Sequence, residues 1–280
     1  MPYKTILTYL PDTETAGQLL DAILPIAQEY DAHLIGLHIV PRVAVMVAVA
    51  AAEIPQSIIQ KQEEMLHREA DMLKELFEKA CSKAKVRAEW RCNKIEHADM
   101  ASEIASQALC CDLISVVQSE EDEFGLSTDI PSHIVTETGR PVLIIPRSGQ
   151  FQTIGKHAII AWNASKEAIR ASFDALPFLQ RAETVKVLAI DPKCRSGYDS
   201  IALGDELALC LSRRNVKAET EVDTSGSMPV SAELLSKLKQ DSCDLLVMGC
   251  YGHSRLRETL FGGMTRTLLN RMDVPVLMSH

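Results

Sequence analysis

Short apolar runs alternate along the chain with segments in which apolar residues recur every three or four positions. The runs 158–161 and 245–248 are apolar at every position, which is typical of a parallel strand buried on both faces. The segments between such runs have the spacing of helices that bury one face. This alternation predicts an α/β fold, with doubly wound parallel sheets and helices on both faces.

The pattern predicts five strands in each half of the chain. In the first half they lie at 4–10, 33–40, 86–92, 112–117 and 141–145. In the second half they lie at 157–163, 184–191, 217–222, 243–249 and 274–279. The second-half helices are predicted near 165–180, 200–214, 229–240 and 263–272, and a long first-half helix near 58–82. The long helix has an apolar stripe that we expect to be core, formed by Ile58, Met65, Leu66, Leu73 and Leu76.

Four landmarks occur twice in the same order, which indicates an internal duplication. They pair 6–10 with 159–163, 38–41 with 189–192, 111–114 with 243–246, and 140–143 with 274–277. We therefore predict two tandem five-stranded units, residues 1–147 and 153–280, joined by a short polar link.

The first unit is longer by about 19 residues, around 42–60. This segment includes the uncharged stretch Val43–Ala52, which is about half as long as a membrane span. A helix packed on the sheet or between the units would explain it. A lid over an apolar pocket, or a patch for a second chain, would also explain it.

Composition narrows the class of protein. The 280 residues carry a net charge of −9, which argues against a nucleic-acid binder, and 46% of them are hydrophobic, as in soluble globular proteins. The N-terminus does not resemble a signal peptide, so we expect a cytoplasmic protein that does not enter the membrane. The eight cysteines form no Cys-x-x-Cys pair and are expected to be reduced thiols. The histidine spacing predicts no metal site.

A glycine-rich loop follows the fourth strand of the second unit. Its glycines are Gly249, Gly252, Gly262 and Gly263. Glycine lets backbone approach a ligand closely, and free N–H groups at a helix start favour an anion. Thr265 adds a hydroxyl donor for the same phosphate. The spacing alone fits a phosphate site and a purely structural role, in which the glycines only form a tight loop and a helix cap, equally well.

This loop resembles the signature of the universal stress protein family, a Gly-x2-Gly-x9-Gly pattern followed by Ser or Thr. Gly263 stands where the family has that Ser or Thr. The closing Val274–Leu277 resembles the family's last strand, and the turn 161–165 resembles its Asp-x-Ser turn, with Asn163 in place of Asp. The resemblance covers both halves and implies a tandem universal stress protein.

The family's nucleotide site implies a set of binding residues in the second unit. Residues implied for ribose and phosphates are Met248, Gly249, Gly252, Gly262, Gly263, Met264 and Thr265. Residues implied near the base are Asn163 and Ala189. The implied cofactor is ATP, with or without magnesium, and the implied role is a cytoplasmic ATP-binding sensor or regulator in the stress response. A homodimer of tandem chains is a further expectation.

The first unit differs at the corresponding positions. Four acidic residues, 120–123, replace the glycines, and like charges there repel a triphosphate. When the two halves of the chain are aligned, Leu10 occupies the position of Asn163. We therefore expect no nucleotide in this unit, whose last strand would instead pair with that of the second unit, as in family dimers.

Two other functions remain open from the sequence. One is a nucleotide-free interaction scaffold, and the other is a slow ATP hydrolase that aligns water near His253. No nucleophile–base pair is evident, so no catalytic residue is assigned. A P-loop and a Gly-x-Gly-x-x-Gly fingerprint are both missing from the sequence.

Overall fold

The computed structural model describes residues 2–41, 56–95, 100–119, 130–192, 200–250 and 264–280. The first half contains β1 (Thr5–Tyr9), α1 (Thr13–Glu29), β2 (His33–Pro41), α2 (Gln56–Ala84), β3 (Arg87–Ile95), α3 (Met100–Ala108), β4 (Leu113–Val117), α4 (Ile130–Thr138) and β5 (Val142–Ile145). The second half contains β6 (His157–Ala161), α5 (Lys166–Asp174), α6 (Leu176–Leu179), β7 (Thr184–Ile190), α7 (Ser200–Ser212), β8 (Ala218–Asp223), α8 (Val230–Gln240), β9 (Leu245–Gly249), α9 (Met264–Arg271) and β10 (Val276–Ser279).

The ten strands form one sheet in the order β3-β2-β1-β4-β5-β10-β9-β6-β7-β8. Neighbours within each half are parallel. The halves meet where β5 and β10 pair antiparallel, with Leu143 opposite Leu277. The doubly wound α/β class is therefore confirmed, and so is the pairing through the last strands. The two expected five-stranded sheets are joined into one, and the apolar core on each face contains residues of both halves.

The repeated Cys-Asp landmark has the same structural role in both halves. Asp112 Oδ2 accepts from the backbone N–H groups of Lys4 (2.8 Å) and Thr5 (2.9 Å) at the start of β1. Asp244 accepts from His157 N–H at 2.8 Å and from the two amides before it, at the start of β6. Each aspartate thus satisfies amides that the sheet leaves unpaired. An aspartate therefore holds the start of the first strand in both halves.

The helices that follow the second strand of each half differ in length. Helix α2 has 29 residues, and its counterpart α7 has 13. Part of the additional first-half sequence is therefore extra helix, while Val43–Ala52 lies outside the described residues. At 1.5 Å per residue, α2 is about 43 Å long and extends beyond strands of about 30 Å. Among the described helices, none is both long and apolar enough to cross a membrane.

The expected core stripe of α2 is correct only in its C-terminal part. Leu73 is fully buried, and Leu66 and Leu76 are half-buried. Ile58 and Met65 are 51% and 68% exposed, so that part of the prediction is wrong. The physical reason is the length of the helix, because its first turns extend past the strands on which the later turns pack.

Candidate functional site

The second-half residues singled out by the sequence meet at one edge of the sheet. Ala161 in β6 lies opposite Leu188 in β7 and Met248 in β9. Because the three strands are parallel, their carboxyl ends lie side by side, where open α/β sheets bind ligands. Asn163, Ala189 and Gly249 therefore come to the same edge.

A fixed turn presents Asn163. Its side-chain Oδ1 accepts from the backbone N–H of Ser165 at 3.1 Å. Between them, Ala164 has a left-handed backbone, φ 56°, a conformation that costs free energy for a residue with a Cβ. Ser165 Oγ accepts from Ala168 N–H at 3.1 Å and caps α5. The Asn163 side chain is consequently held in an exposed position beside the strand ends.

Other predicted site residues are buried. Ala189 is 4% exposed, and Met248, 5% exposed, packs into the core on the opposite face of the sheet. The Met248 side chain is therefore committed to the core, so only its backbone is available to a ligand. Thr265 is buried in the first turn of α9, which begins at Met264. Gly252, Gly262, Gly263 and His253 lie outside the described residues.

Gly249 has a packing role that the sequence did not reveal. A Cβ placed on it would lie 2.3 Å from the Glu167 carbonyl carbon and 2.4 Å from Ala168 N. These are backbone atoms of the first turn of α5, which cannot move aside cheaply. Glycine at the end of β9 therefore allows α5 to begin directly against the strand end.

The same contact buries an acidic side chain. Glu167 is 3% exposed, and its carboxylate lies 3.5 Å from Nζ of the exposed Lys166. Sequence reasoning missed this buried carboxylate. A glutamate in the first turn after a serine N-cap is common in exposed helices, so the sequence around Glu167 does not indicate burial. Gly249, which lies opposite, is the one sequence feature that points to it.

The glycine loop leaves the sheet from an anchored residue. Cys250 N–H donates to Ser279 carbonyl at 3.0 Å, and His280 Nδ1–H donates to Cys250 carbonyl at 3.0 Å. The first residue of the loop is thereby attached to the end of β10. Whatever conformation the loop takes, its starting point is set by the sheet.

Backbone hydrogen bonds define which residues of the first half correspond to these. Leu10 N–H donates to Leu37 carbonyl at 2.9 Å, and Trp162 N–H donates to Leu188 carbonyl at 2.8 Å. Leu10 therefore corresponds to Trp162, and Pro11 corresponds to Asn163. The alignment of Leu10 with Asn163 is wrong by one position, because the pattern of apolar residues alone does not fix the pairing register of the strands.

The same register gives two further correspondences. His38 corresponds to Ala189, and Val117 corresponds to Gly249. His38 is 4% exposed, and its Nδ1–H donates to the carbonyl of Leu10 at 2.8 Å. A buried imidazole thus occupies the first-half edge where the second half has a methyl group. The acidic run 120–123 lies outside the described residues.

A charged network lies on β7, β8 and α8. Lys237 Nζ lies 2.8 Å from Glu221 Oε1 and 2.7 Å from Asp223 Oδ2, and Lys186 also contacts Glu221. Hydrogen bonds from Lys186 and Lys237 hold the pKa of Glu221 below its ordinary value. A bond from Lys237 similarly lowers the pKa of Asp223. Within the described ranges, no group of three or more His, Cys, Asp or Glu side chains could hold a metal ion.

Comparison with known proteins agrees with this architecture. A model described as the Universal stress protein family matches residues 171–280. A universal stress protein from Synechocystis sp. is 28% identical over 149 residues, which are 51% of this chain and 48% of that protein. The match therefore spans about half the length of this relative.

Solved structures that match nearly the whole chain include the following two. A universal stress protein from Archaeoglobus fulgidus has a TM-score of 0.75 at 13% identity, covering 98% of this chain and 95% of its own. A protein from Pseudomonas aeruginosa has a TM-score of 0.61 at 16% identity, covering 99% of this chain and 93% of its own. Such identities show the fold. Residues 171–280 match the sequence model of the universal stress protein family, and the chain as a whole has the fold of a solved universal stress protein.

Proposed function

We propose that the chain is an ATP-binding sensor of the cytoplasm, with one nucleotide held at the carboxyl edge of β6, β7 and β9. Asn163 and Ala189 would lie near the base. Gly249, Gly252, Gly262, Gly263 and Thr265, with the backbone of Met248 and Met264, would hold ribose and phosphates, with or without magnesium. Occupancy of this site would bias contacts with partner proteins.

One observation carries the proposal: the two halves differ at three corresponding positions of this edge. The second half has an exposed amide, a methyl group and a glycine at Asn163, Ala189 and Gly249. In the first half the corresponding residues are Pro11, which has no backbone N–H, the buried His38 and the β-branched Val117. Small and hydrogen-bonding groups remain only where the glycine loop follows.

Calorimetric titration with ATP and Mg²⁺ tests the proposal. We expect one site per chain, and Asn163→Ala should weaken binding about tenfold, because it removes an amide that is exposed at the edge. Gly252→Leu should abolish binding by placing a branched side chain in the glycine loop.

The matched control is His38→Ala in the first half, which should leave the stoichiometry at one. A second measurement is mass spectrometry of the small molecules released when freshly purified protein is denatured. Absence of bound nucleotide together with absence of heat on titration would overturn the proposal and leave the nucleotide-free scaffold.

A further inference from the structure

The N-terminal turns of α2 pack on little else in the described chain. Of residues 57–69, all of them described, none is buried, whereas Ala70, Leu73 and Phe77 in the later turns are. The counterpart helix α7 lacks this extension. An extension that buries none of its own residues contributes little to the stability of a single chain.

The extension has exposed apolar side chains in a regular row. Ile58, Met65 and Met72 are 51%, 68% and 54% exposed. Large exposed apolar residues occur elsewhere in the described chain, but isolated ones are normal on protein surfaces. Three at intervals of seven on one helix lie along one line about 20 Å long.

The interval of seven specifies the shape of a partner. Side chains seven positions apart drift by about 20° on a straight helix, and a second helix wound slightly around the first follows that drift. A groove for an extended peptide or a flat surface does not require this period. The stripe therefore fits another helix.

We propose that this stripe, Ile58–Met65–Met72, is the docking surface for α2 of a second copy of the chain, paired antiparallel about a two-fold axis. Such an interface is isologous, so each contact between the two copies occurs twice. When Met65 lies opposite the partner's Met72, Ile58 lies opposite the aliphatic stem of the partner's Lys79, and Lys61 lies beside the partner's Glu75. Both residues lie on the same side of the stripe and are exposed.

One like-charge contact arises near the axis, where Arg68 faces the partner's Arg68. The guanidinium of Arg68 lies 3.5 Å from Glu64 Oε2 one turn earlier, so its charge is already partly compensated. Residues 57–76 span about 30 Å, which is too little for the roughly 1,200 Å² of a standard stable interface. We therefore expect a concentration-dependent dimer rather than an obligate one. This inference does not depend on the proposed nucleotide site.

Sedimentation equilibrium from about 1 µM to about 300 µM tests the docking surface. The wild-type mass should rise from one chain toward two. Met65→Glu should raise the dissociation constant at least about tenfold, because it puts a charge at the centre of the stripe. The control Met228→Glu changes another apolar residue, 50% exposed in the second half, and should associate like wild type.

Charge exchange tests the register and the identity of the partner. Lys61→Glu and Glu75→Lys should each weaken association, and the double variant should restore it, because only a second copy supplies the exchanged partner. A monomer at every concentration, equal association of Met65→Glu and Met228→Glu, or failure of the double variant to recover would overturn the proposal. Circular dichroism checks that each variant keeps its helix content.

Discussion

The side-chain amide of Gln118, at the end of β4, donates a hydrogen bond to the backbone carbonyl of Leu269 in α9. Gln118 belongs to the first half, and α9 is the helix that follows the glycine loop of the second half. The Gln118 Oε1 in turn accepts from the backbone N–H of Arg147 at 3.2 Å. This contact links the end of β4 in the first half to the helix beside the candidate site of the second half.

Gln118→Ala should therefore loosen α9. We expect faster hydrogen exchange in residues 264–271 and a loss of about 1–2 kcal/mol in the free energy of unfolding, because the variant removes two side-chain hydrogen bonds of about 1 kcal/mol each. The control is Gln18→Ala, which removes a bond to the Pro146 carbonyl within the first half. Exchange in α9 that is the same in both variants would contradict the prediction.

Gly249→Ala should destabilise the protein even in the absence of any ligand. The added methyl group would overlap backbone atoms of Glu167 and Ala168, and relief of such overlap typically costs about 1–3 kcal/mol. Urea denaturation measures the loss. Gly17→Ala is the matched control, because a Cβ at Gly17 in α1 meets nothing within 4 Å and should be neutral or stabilising. Equal midpoints for the two variants would refute the packing role.

The charged network on β7, β8 and α8 should make stability depend on acid pH. The pKa values of Glu221 and Asp223 are lowered in the folded chain by their bonds to lysine and return to ordinary values on unfolding. Below about pH 5 the unfolded chain then binds more protons than the folded one. The free energy of unfolding should consequently fall as pH is lowered from about 6 to about 3.

Lys237→Met should flatten this acid dependence, because it removes the cation that lowers both pKa values. Lys239→Met is its control. Lys239 lies two residues along α8 and pairs with Asp273 at the surface, where the lysine is 70% exposed. Denaturation curves across this pH range should give a smaller slope for the first variant only, and identical slopes would show that the network is not responsible.

Adjacent cysteines should react at different rates. Cys110 is exposed, whereas Cys111 is 2% exposed and burial raises the pKa of its thiol to about 11. Since the thiolate is the nucleophile, iodoacetamide at about pH 8 should label Cys110 well before Cys111 in the native protein. Fragment mass spectra locate the label, and unfolding in urea should remove the difference. Equal labelling of both in the native state would contradict the burial.

The strands could be predicted from the sequence because buried parallel strands are apolar on both faces. The run 245–248 is apolar at every position and lies within β9. The apolar period of α2 gave the helix but not its surroundings. Ile58 and Leu73 look alike in such a pattern, and only the length of the adjoining strands separates the exposed residue from the buried one.

The candidate site was harder to predict in detail. Glycine at 249 suggested close approach of backbone, which the structure shows, but the approaching atoms belong to α5. The correspondence of His38 with Ala189 depends on the pairing register of the strands, which cannot be obtained from sequence similarity between the halves. A shift of one position in the sequence alignment assigns Leu10, and not Pro11, as the counterpart of Asn163. The correspondence of the two edges follows from the backbone hydrogen bonds of their strands.

The antiparallel pairing of β5 with β10 determines where the carboxyl ends of the strands lie in each half. Because the strands of the two halves run opposite ways, their carboxyl edges open on opposite rims of the sheet. The rim with Asn163 and the rim with His38 therefore face different surroundings. A nucleotide bound at the first would leave the second free to meet another molecule at the same time.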